Sequence, residues 1–440
     1  MNKYFGTDGI RGVYGSDYMN ESFAQKFGKA VGAYLNTEFS DQATVGVGMD
    51  TRPSGASLRE ALVSGLRSMA IKVIDYGVIP TPALSYGILR DRAHFGLMIT
   101  ASHNPSADNG IKCFNEQGTK LTIEQELIVE NLIDQTHPTL VCSDLTESRS
   151  LLDDYLKNLE VYFSDLDLSG TRIAVDGANG ATSETTQHIL KNLGAKVISI
   201  HCGHGVINEN CGSENLESLQ GLVLQNNADL GIAHDGDGDR VRLIDSTGMV
   251  IDGDQVLGVI ALQAHRKNKL QSSSFVSTIY SNNGLFSCLE DRGIRPVISD
   301  VGDRNVYYKM LESKSNWGGE SSGHIICTDY LPTGDGLFAA LTVLRTMKEQ
   351  GQSLADLVRE IKLWPSLSDS FAVSQKPSID RVPELSRAIR SEEEFLKNDG
   401  RVLIRYSGTE PKLRLLVEGK SLDQISSSYH RLKLVIEKSL

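Results

Sequence analysis

The sequence predicts an α/β protein built on mainly parallel sheets, and three observations predict it. A strand–helix–strand unit occurs three times, each time leading to a polar loop after a later strand. Strand-like and helix-like apolar patterns alternate through the chain up to about residue 368. The remainder breaks that alternation and reads as a small α+β module. Boundaries are expected at 150, 252 and 368.

In the first copy, Val45-Gly46-Val47-Gly48-Met49-Asp50 reads as a strand closing in a polar turn. Ser57 precedes Leu58, Leu62, Leu66 and Met69, an apolar stripe at helical spacing. Lys72-Val73-Ile74-Asp75 is the next strand. Gly96-Leu97-Met98-Ile99-Thr100 then runs into Ala101-Ser102-His103-Asn104-Pro105. The second copy opens at Ile173-Ala174-Val175-Asp176-Gly177. Ser183 is positioned to cap a helix carrying Ile189, Leu190 and Leu193, closed by Gly194. Val197-Ile198-Ser199-Ile200 follows, and Asp229-Leu230-Gly231-Ile232-Ala233 leads into His234-Asp235-Gly236-Asp237-Gly238-Asp239-Arg240. The third copy opens at Phe275-Val276-Ser277-Thr278-Ile279, with a helix through Leu285, Phe286 and Leu289 that stops at Gly293. Pro296-Val297-Ile298 is its second strand, and Gly318-Gly319-Glu320-Ser321-Ser322-Gly323-His324 ends the unit. In parallel sheets ligands sit beyond the carboxyl ends of strands, so the three polar loops are candidates for one shared cleft. After 368, Ser370-Phe371-Ala372-Val373 reads as a strand and Pro383 to Leu396 as a charged helix. Two strand-like runs, 401–405 and 413–417, flank a turn, and Ile425, Tyr429, Leu432 and Ile436 mark a last amphipathic helix.

Composition narrows the function. The 440 residues carry 44 Lys+Arg against 56 Asp+Glu, a net charge of -12, which disfavours a general nucleic-acid binder. The six cysteines include no C-x-x-C pair and fit a reducing compartment. Met1 to Gly6 shows no apolar signal core, and the run Val256 to Leu262 is too short to span a membrane. A cytoplasmic protein without membrane or nucleic-acid partners is expected.

Asp235, Asp237 and Asp239 alternate with glycines that let the backbone curl. Three carboxylates so close repel one another unless a cation sits among them, and hard oxygen donors suit Mg²⁺. An EF-hand does not fit, because Arg240 stands where that loop needs glycine. The bland alternative is a solvated acidic turn. Ser102 precedes His103 and an Asn-Pro turn that exposes its hydroxyl, with Lys112 following; a serine there can carry a phosphoryl group or merely cap a turn. Arg405, Ser407, Gly408, Thr409 and Arg414 combine guanidinium, hydroxyls and accessible turn amides, a set suited to phosphate but also found in an ordinary hairpin. Gly319-Glu320-Ser321-Ser322-Gly323 matches G-x-S-x-G. However, Ile325-Ile326-Cys327 follows where a hydrolase elbow needs a helix. Glu320, Ser322 and His324 read better as polar groups for a polyol. Alone, the opening Phe5 to Gly12 is a tight turn with Arg11 free to meet an anion.

Five motifs in this order, FGTDGIRG at 5–12, TASHNP at 100–105, DGDGDR at 235–240, GGESSGH at 318–324 and RYSGTEP at 405–411, resemble the α-D-phosphohexomutases, most closely their bacterial phosphoglucosamine mutase branch. The resemblance spans nearly the whole chain. It implies a heart-shaped enzyme of four domains: three similar α/β domains with mixed, mainly parallel sheets and a small C-terminal α+β domain. These are a phosphoserine domain (1–150), a metal-binding domain (151–252), a sugar-binding domain (253–367) and a phosphate-binding domain (368–440). It implies that Ser102 carries the phosphoryl group and shares Mg²⁺ with Asp235, Asp237 and Asp239. It implies Lys112 as general acid/base, with Arg11, His103 and Arg240 around the phosphoserine. Glu320, Ser322 and His324 would grip the sugar, and Arg405, Ser407, Gly408, Thr409 and Arg414 its non-reacting phosphate.

The implied reaction interconverts glucosamine 6-phosphate and glucosamine 1-phosphate through a bisphosphate, on the route to UDP-N-acetylglucosamine and cell wall. Glucosamine or glucose 1,6-bisphosphate would serve as primer, and the enzyme would be a monomer or homodimer. The FGTDGIRG opening, Gly302-Asp303-Arg304 and SGTEP favour the glucosamine branch over the phosphomannomutase/phosphoglucomutase branch. Ser321, Tyr406, Lys412 and Leu415-Leu416 depart from its usual pattern and leave that alternative standing. A non-catalytic sugar-phosphate sensor is the alternative from another class; the intact Ser102 and aspartate triplet count against it.

Overall fold

The structure, a computed structural model, describes residues 3–39, 42–135, 146–406 and 411–439. The chain packs as two compact units. One holds the residues up to Tyr280 together with Gly293–Arg359; the other holds Ser281–Arg292 and the chain from Glu360 on.

The threefold unit is visible in the strand order of the first compact unit. Its first sheet contains β1 (Ile10–Val13), β2 (Thr44–Met49), β3 (Lys72–Val78), β4 (Phe95–Ile99), β5 (Asp108–Asn115) and β6 (Thr146–Ser148), in the order β1-β5-β4-β2-β3-β6. The second contains β7 (Arg172–Asp176), β8 (Lys196–Ile200), β9 (Leu230–His234) and β10 (Val241–Asp245), ordered β10-β9-β7-β8. The third contains β11 (Ser274–Thr278), β12 (Arg295–Ser299), β13 (Trp317–Gly319), β14 (Ile325–Cys327) and β15 (Leu331–Gly334), ordered β12-β11-β13-β14-β15. In each sheet the first strand of the unit is central, with parallel neighbours on both sides. In each, the third strand (β4, β9 or β13) ends in a polar loop that turns back into an antiparallel strand. The burial of β4 and β9 at every position explains their unbroken apolar runs.

The second compact unit holds a wholly antiparallel sheet of β16 (Ser366–Ala372), β17 (Gly400–Tyr406) and β18 (Lys412–Gly419), with β18 central. The helices Pro383–Leu396 and Leu422–Ser439 close its core through Leu385, Leu396, Ile425, Leu432 and Ile436.

Two expected helix starts differ. The helix of the first copy begins at Gly55, two residues before Ser57. Ser183 does not cap its helix, which begins at Thr185; its hydroxyl instead donates to the Gly180 carbonyl (2.7 Å) and closes the preceding turn. Among the described residues no helix is long and apolar enough to cross a membrane, and Cys113, Cys202, Cys211, Cys288 and Cys327 are free thiols.

The helix Glu21–Glu38 packs on Gly55–Arg67 through glycines. A Cβ at Gly65 would lie 2.1 Å from the Gln25 carbonyl oxygen, and one at Gly28 would lie 2.2 Å from that of Leu62. Gly65→Val should therefore destabilise the protein by about 1–3 kcal/mol through overpacking, read as a lower urea midpoint. Gly221→Ala, with only the flexible end of Gln225 within 4 Å, should leave the midpoint unchanged or raised.

Candidate active site

Three loops of the first compact unit meet around Ser102. Ser102 follows the buried strand β4 and is itself buried, with left-handed backbone (φ 53°). That conformation is costly for a residue with a Cβ, and it persists because its neighbours fix it. The Ser102 amide donates to Thr100 Oγ1 (2.8 Å), whose hydroxyl donates to Asp50 Oδ2 (2.7 Å). The Ser102 carbonyl accepts from Arg52 Nη2 (2.9 Å) and Asn208 Nδ2 (2.7 Å). Arg52, fully buried and paired with Asp50 at 3.0 Å, also donates to the carbonyls of Asn104, Pro105 and Asp108. One guanidinium thus spans the whole serine loop, a task suited to its rigid fork of donors.

The serine hydroxyl donates to Asp235 Oδ2 at 2.5 Å, and His103 Nδ1 lies 3.3 Å from the same Oγ. Burial, with Arg240 and Arg11 nearby, pushes His103 down to about 4, so its ring is neutral near pH 7. Asp235, Asp237 and Asp239 occupy the short turn between β9 and β10 and are all buried. Burial, then Asp239 and Asp237, push Asp235 well above the ordinary carboxyl range.

Lys112 enters this cluster from β5, where it pairs with Met98 of β4. Its ammonium donates to Asp237 Oδ2 (2.7 Å) and Asp239 Oδ2 (2.6 Å) and lies 3.3 Å from Asp8. Burial works to lower Lys112, but Asp237, Asp239 and Asp8 outweigh it and hold the ammonium well above its usual value. Thr81, at the start of the helix Thr81–Asp91, adds hydroxyl and amide donors to Asp237.

The residues fit a divalent cation. One oxygen from each of Asp235, Asp237 and Asp239 lies within 4.8 Å of the others. Asp237 Oδ1 and Asp239 Oδ1 are buried and accept no hydrogen bond. Lys112 already places a positive charge against two of the three carboxylates. An all-oxygen set of this charge favours a hard ion.

Glu320, Ser322 and His324 lie between β13 and β14, a strand–turn–strand arrangement that rules out a nucleophile elbow. Arg240 and His324 pair across an isolated bridge, joining this loop to the aspartate loop. Glu320 Oε1 accepts from the Gly302 amide (2.9 Å), while Ser322 Oγ and both ring nitrogens of His324 are buried without a hydrogen-bond partner. His324 Nε2 stands 3.4 Å from Asp303 Oδ2. Asp8, joined to Arg11, also meets Lys120, which in turn pairs with Asp303. Burial raises Asp8, but Lys112, Lys120 and Arg11 overcome it and hold the carboxyl well below its usual range.

Ser102, His103, Lys112, Arg11, Arg240, the three aspartates, Glu320, Ser322 and His324 are therefore all in the first compact unit. Arg405 and Arg414 lie in the second, directly opposite each other across β17 and β18. Ser407, Gly408 and Thr409 lie outside the described residues. Sequence reasoning did not single out Asp50, Arg52, Asn208, Asp8, Lys120 or Asp303 as site residues. Asp50-Thr51-Arg52, a charged step at the end of β2, was the available signal.

Family profiles match four stretches of the chain: "Phosphoglucomutase/phosphomannomutase, alpha/beta/alpha domain I" at residues 2–139, domain II at 153–248, domain III at 252–363, and the C-terminal domain at 370–432. The chain is 39% identical to the phosphoglucosamine mutase of Bacillus subtilis, covering 100% of this chain and 99% of the relative. It is 41% identical to that of Desulforamulus reducens, with 99% of both covered. In fold it resembles a phosphoglucomutase/phosphomannomutase family protein of Burkholderia thailandensis (TM-score 0.83, 22% identity, covering 98% of this chain and 97% of that one). It also resembles Aspergillus fumigatus N-acetylphosphoglucosamine mutase, solved with GlcNAc-6P and magnesium (TM-score 0.67, 16% identity, covering 99% and 96%).

Lys112→Met removes the cation from a buried carboxylate cluster, a change that typically costs about 3–5 kcal/mol. Its melting temperature should fall sharply in chelator and recover with Mg²⁺, with a smaller response in the unchanged protein. Equal responses would mean that Lys112 and the added cation do not share these carboxylates.

Proposed function

This chain belongs to the phosphoglucomutase/phosphomannomutase family, the α-D-phosphohexomutases, and on that premise we propose that it interconverts glucosamine 6-phosphate and glucosamine 1-phosphate. The reading makes it an isomerase that moves a phosphoryl group between two oxygens of one amino sugar, in the supply of cell-wall precursor. The observation that carries it is the 2.5 Å contact between Ser102 Oγ and Asp235, at the edge of a carboxylate cluster able to hold a metal.

In this reading Ser102 carries the phosphoryl group. The sugar hydroxyl forms a bond to phosphorus as the bond from phosphorus to Ser102 Oγ breaks, giving a bisphosphate. The bisphosphate turns round and returns its other phosphoryl group to Ser102. Phosphoryl transfer demands positioning and charge neutralisation above all. Asp235, Asp237 and Asp239, with an oxygen on Ser102, would hold Mg²⁺. When bound, that ion supplies charge neutralisation at the transferring phosphoryl group.

Arg11 and Arg240 add fixed positive charge around it. Lys112 takes the general acid/base role in this reading; one proton leaves the sugar hydroxyl as its oxygen bonds to phosphorus and one arrives on the departing Ser102 oxygen, so protons balance. His103, neutral near pH 7, orients the hydroxyl it faces. Glu320, Ser322 and His324 present polar atoms to the sugar; the unsatisfied atoms of Ser322 and His324 support that role. Arg405, Ser407, Gly408, Thr409 and Arg414 take the phosphate that is not reacting. The roles divide the chain into phosphoserine (1–150), metal (151–252), sugar (253–367) and phosphate (368–440) domains. Glucosamine or glucose 1,6-bisphosphate primes Ser102, the protein acts as a monomer or homodimer, and its free thiols favour a cytoplasmic setting.

Incubation with glucosamine 6-phosphate, Mg²⁺ and a trace of glucose 1,6-bisphosphate, followed by ³¹P NMR, tests the reading. A 1-phosphate signal without inorganic phosphate is expected, and Ser102→Ala should abolish it. Turnover of glucose or mannose phosphates with the amino sugar inert would reassign the substrate. Steady release of inorganic phosphate would replace the mutase with a phosphatase.

A further inference from the structure

A second cluster of metal-ligating side chains lies in the second sheet, outside the site described above. Asp176 is the last residue of β7 and is fully buried. His201 follows β8 directly, and its Nδ1 is 2.9 Å from Asp176 Oδ2. Cys211, buried, closes the loop that His201 opens, and Asn179 reaches its sulfur at 3.9 Å. One ligand atom from each of Asp176, His201 and Cys211 lies within 4.8 Å of the others. Asp176 is oriented by its other oxygen, which accepts from the Ala178 amide (2.8 Å). Ala178, Asn179 and His201 all hold left-handed backbone, with φ of 54°, 50° and 48°. Chain segments on either side are thus bent at a cost to bring the three side chains together.

We propose that Asp176, His201 and Cys211 form a metal site, separate from the aspartate loop, that takes a borderline-soft divalent transition ion of the Zn²⁺ type. The donor set decides the class. One carboxylate oxygen, one imidazole nitrogen and one sulfur match Zn²⁺, whereas the all-oxygen aspartate loop suits Mg²⁺. On binding, the Cys211 thiol gives its proton to solvent, and the imidazole proton moves to the outer ring nitrogen, freeing a lone pair. The fourth position is left to water or to His204, exposed on the same loop. The loop clamped in this way also carries Asn208, whose amide donates to the carbonyls of Ser102 and Asn104. The ion would stiffen the segment behind the serine loop.

Co²⁺, whose bond to a thiolate gives a charge-transfer absorption, is the probe, titrated into the full chain with Mg²⁺ in excess to occupy the aspartate loop. One equivalent with the thiolate band is expected. The band should vanish in Cys211→Ser, persist in Asp237→Asn, and require at least tenfold more Co²⁺ in His201→Gln. Absence of the band in the unchanged protein, or its survival in Cys211→Ser, would overturn the site. If Cys211→Ser fails to fold by circular dichroism, unchanged affinity in His201→Gln overturns it equally. None of these readouts depends on mutase activity.

Discussion

A single buried ammonium holds the centre of this protein together. Lys112 sits between the buried Asp237 and Asp239 and the partly buried Asp8, and without it the two buried carboxylates would repel each other in the core. Burying that many charges is expensive, and a well-packed apolar cluster would be cheaper. What the cluster provides is fixed charge, arranged in advance as a site able to hold a divalent ion requires. Ion pairs extend the cluster outward from Asp8 to Arg11 and through Lys120 to Asp303 and on to His324, and the Ser102–Asp235 hydrogen bond adds the serine loop, so four loops share one polar network.

The fold makes that convergence possible by repetition. β4, β9 and β13 each flank the central strand of a unit, and each releases its polar loop into an antiparallel return strand. One solution for placing a loop at a strand end is used three times, and the loops differ in the side chains they carry: a serine hydroxyl, a carboxylate triplet, and the polar set Glu320, Ser322 and His324. The serine loop receives the most backbone support. Arg52 and Asn208 hold its carbonyls, and Asp50 works through Thr100, so the left-handed Ser102 is fixed from two sheets at once.

Much of this was legible in the chain. Val45 to Asp50, Ile173 to Gly177 and Phe275 to Ile279 reveal the repeated unit because buried parallel strands write long apolar runs. The helix Pro383–Leu396 and the strands Gly400–Tyr406 and Lys412–Gly419 were equally plain from periodicity. Asp235, Asp237 and Asp239 announce themselves because their spacing is local. What stayed hidden depends on approach in space. The charged step Asp50-Thr51-Arg52 marks a strand end, but it does not indicate that Arg52 spans four carbonyls some fifty residues away, or that Asn208 reaches Ser102. Lys120 and Asp303 are ordinary surface-type residues until the fold pairs them. Ser183 misled because a hydroxyl before a helix can satisfy a turn carbonyl as readily as a cap.

The proposed reaction turns on Ser102 as the phosphoryl carrier. Intact-protein mass spectrometry after brief exposure to glucose 1,6-bisphosphate and Mg²⁺, followed by peptide mapping and a chase with glucosamine 6-phosphate, addresses this most directly. Ser102 should gain one phosphoryl group and lose it during the chase, with the phosphate recovered in sugar bisphosphate. Phosphate on another residue, or a phosphoserine that the amino sugar does not discharge, would contradict that role.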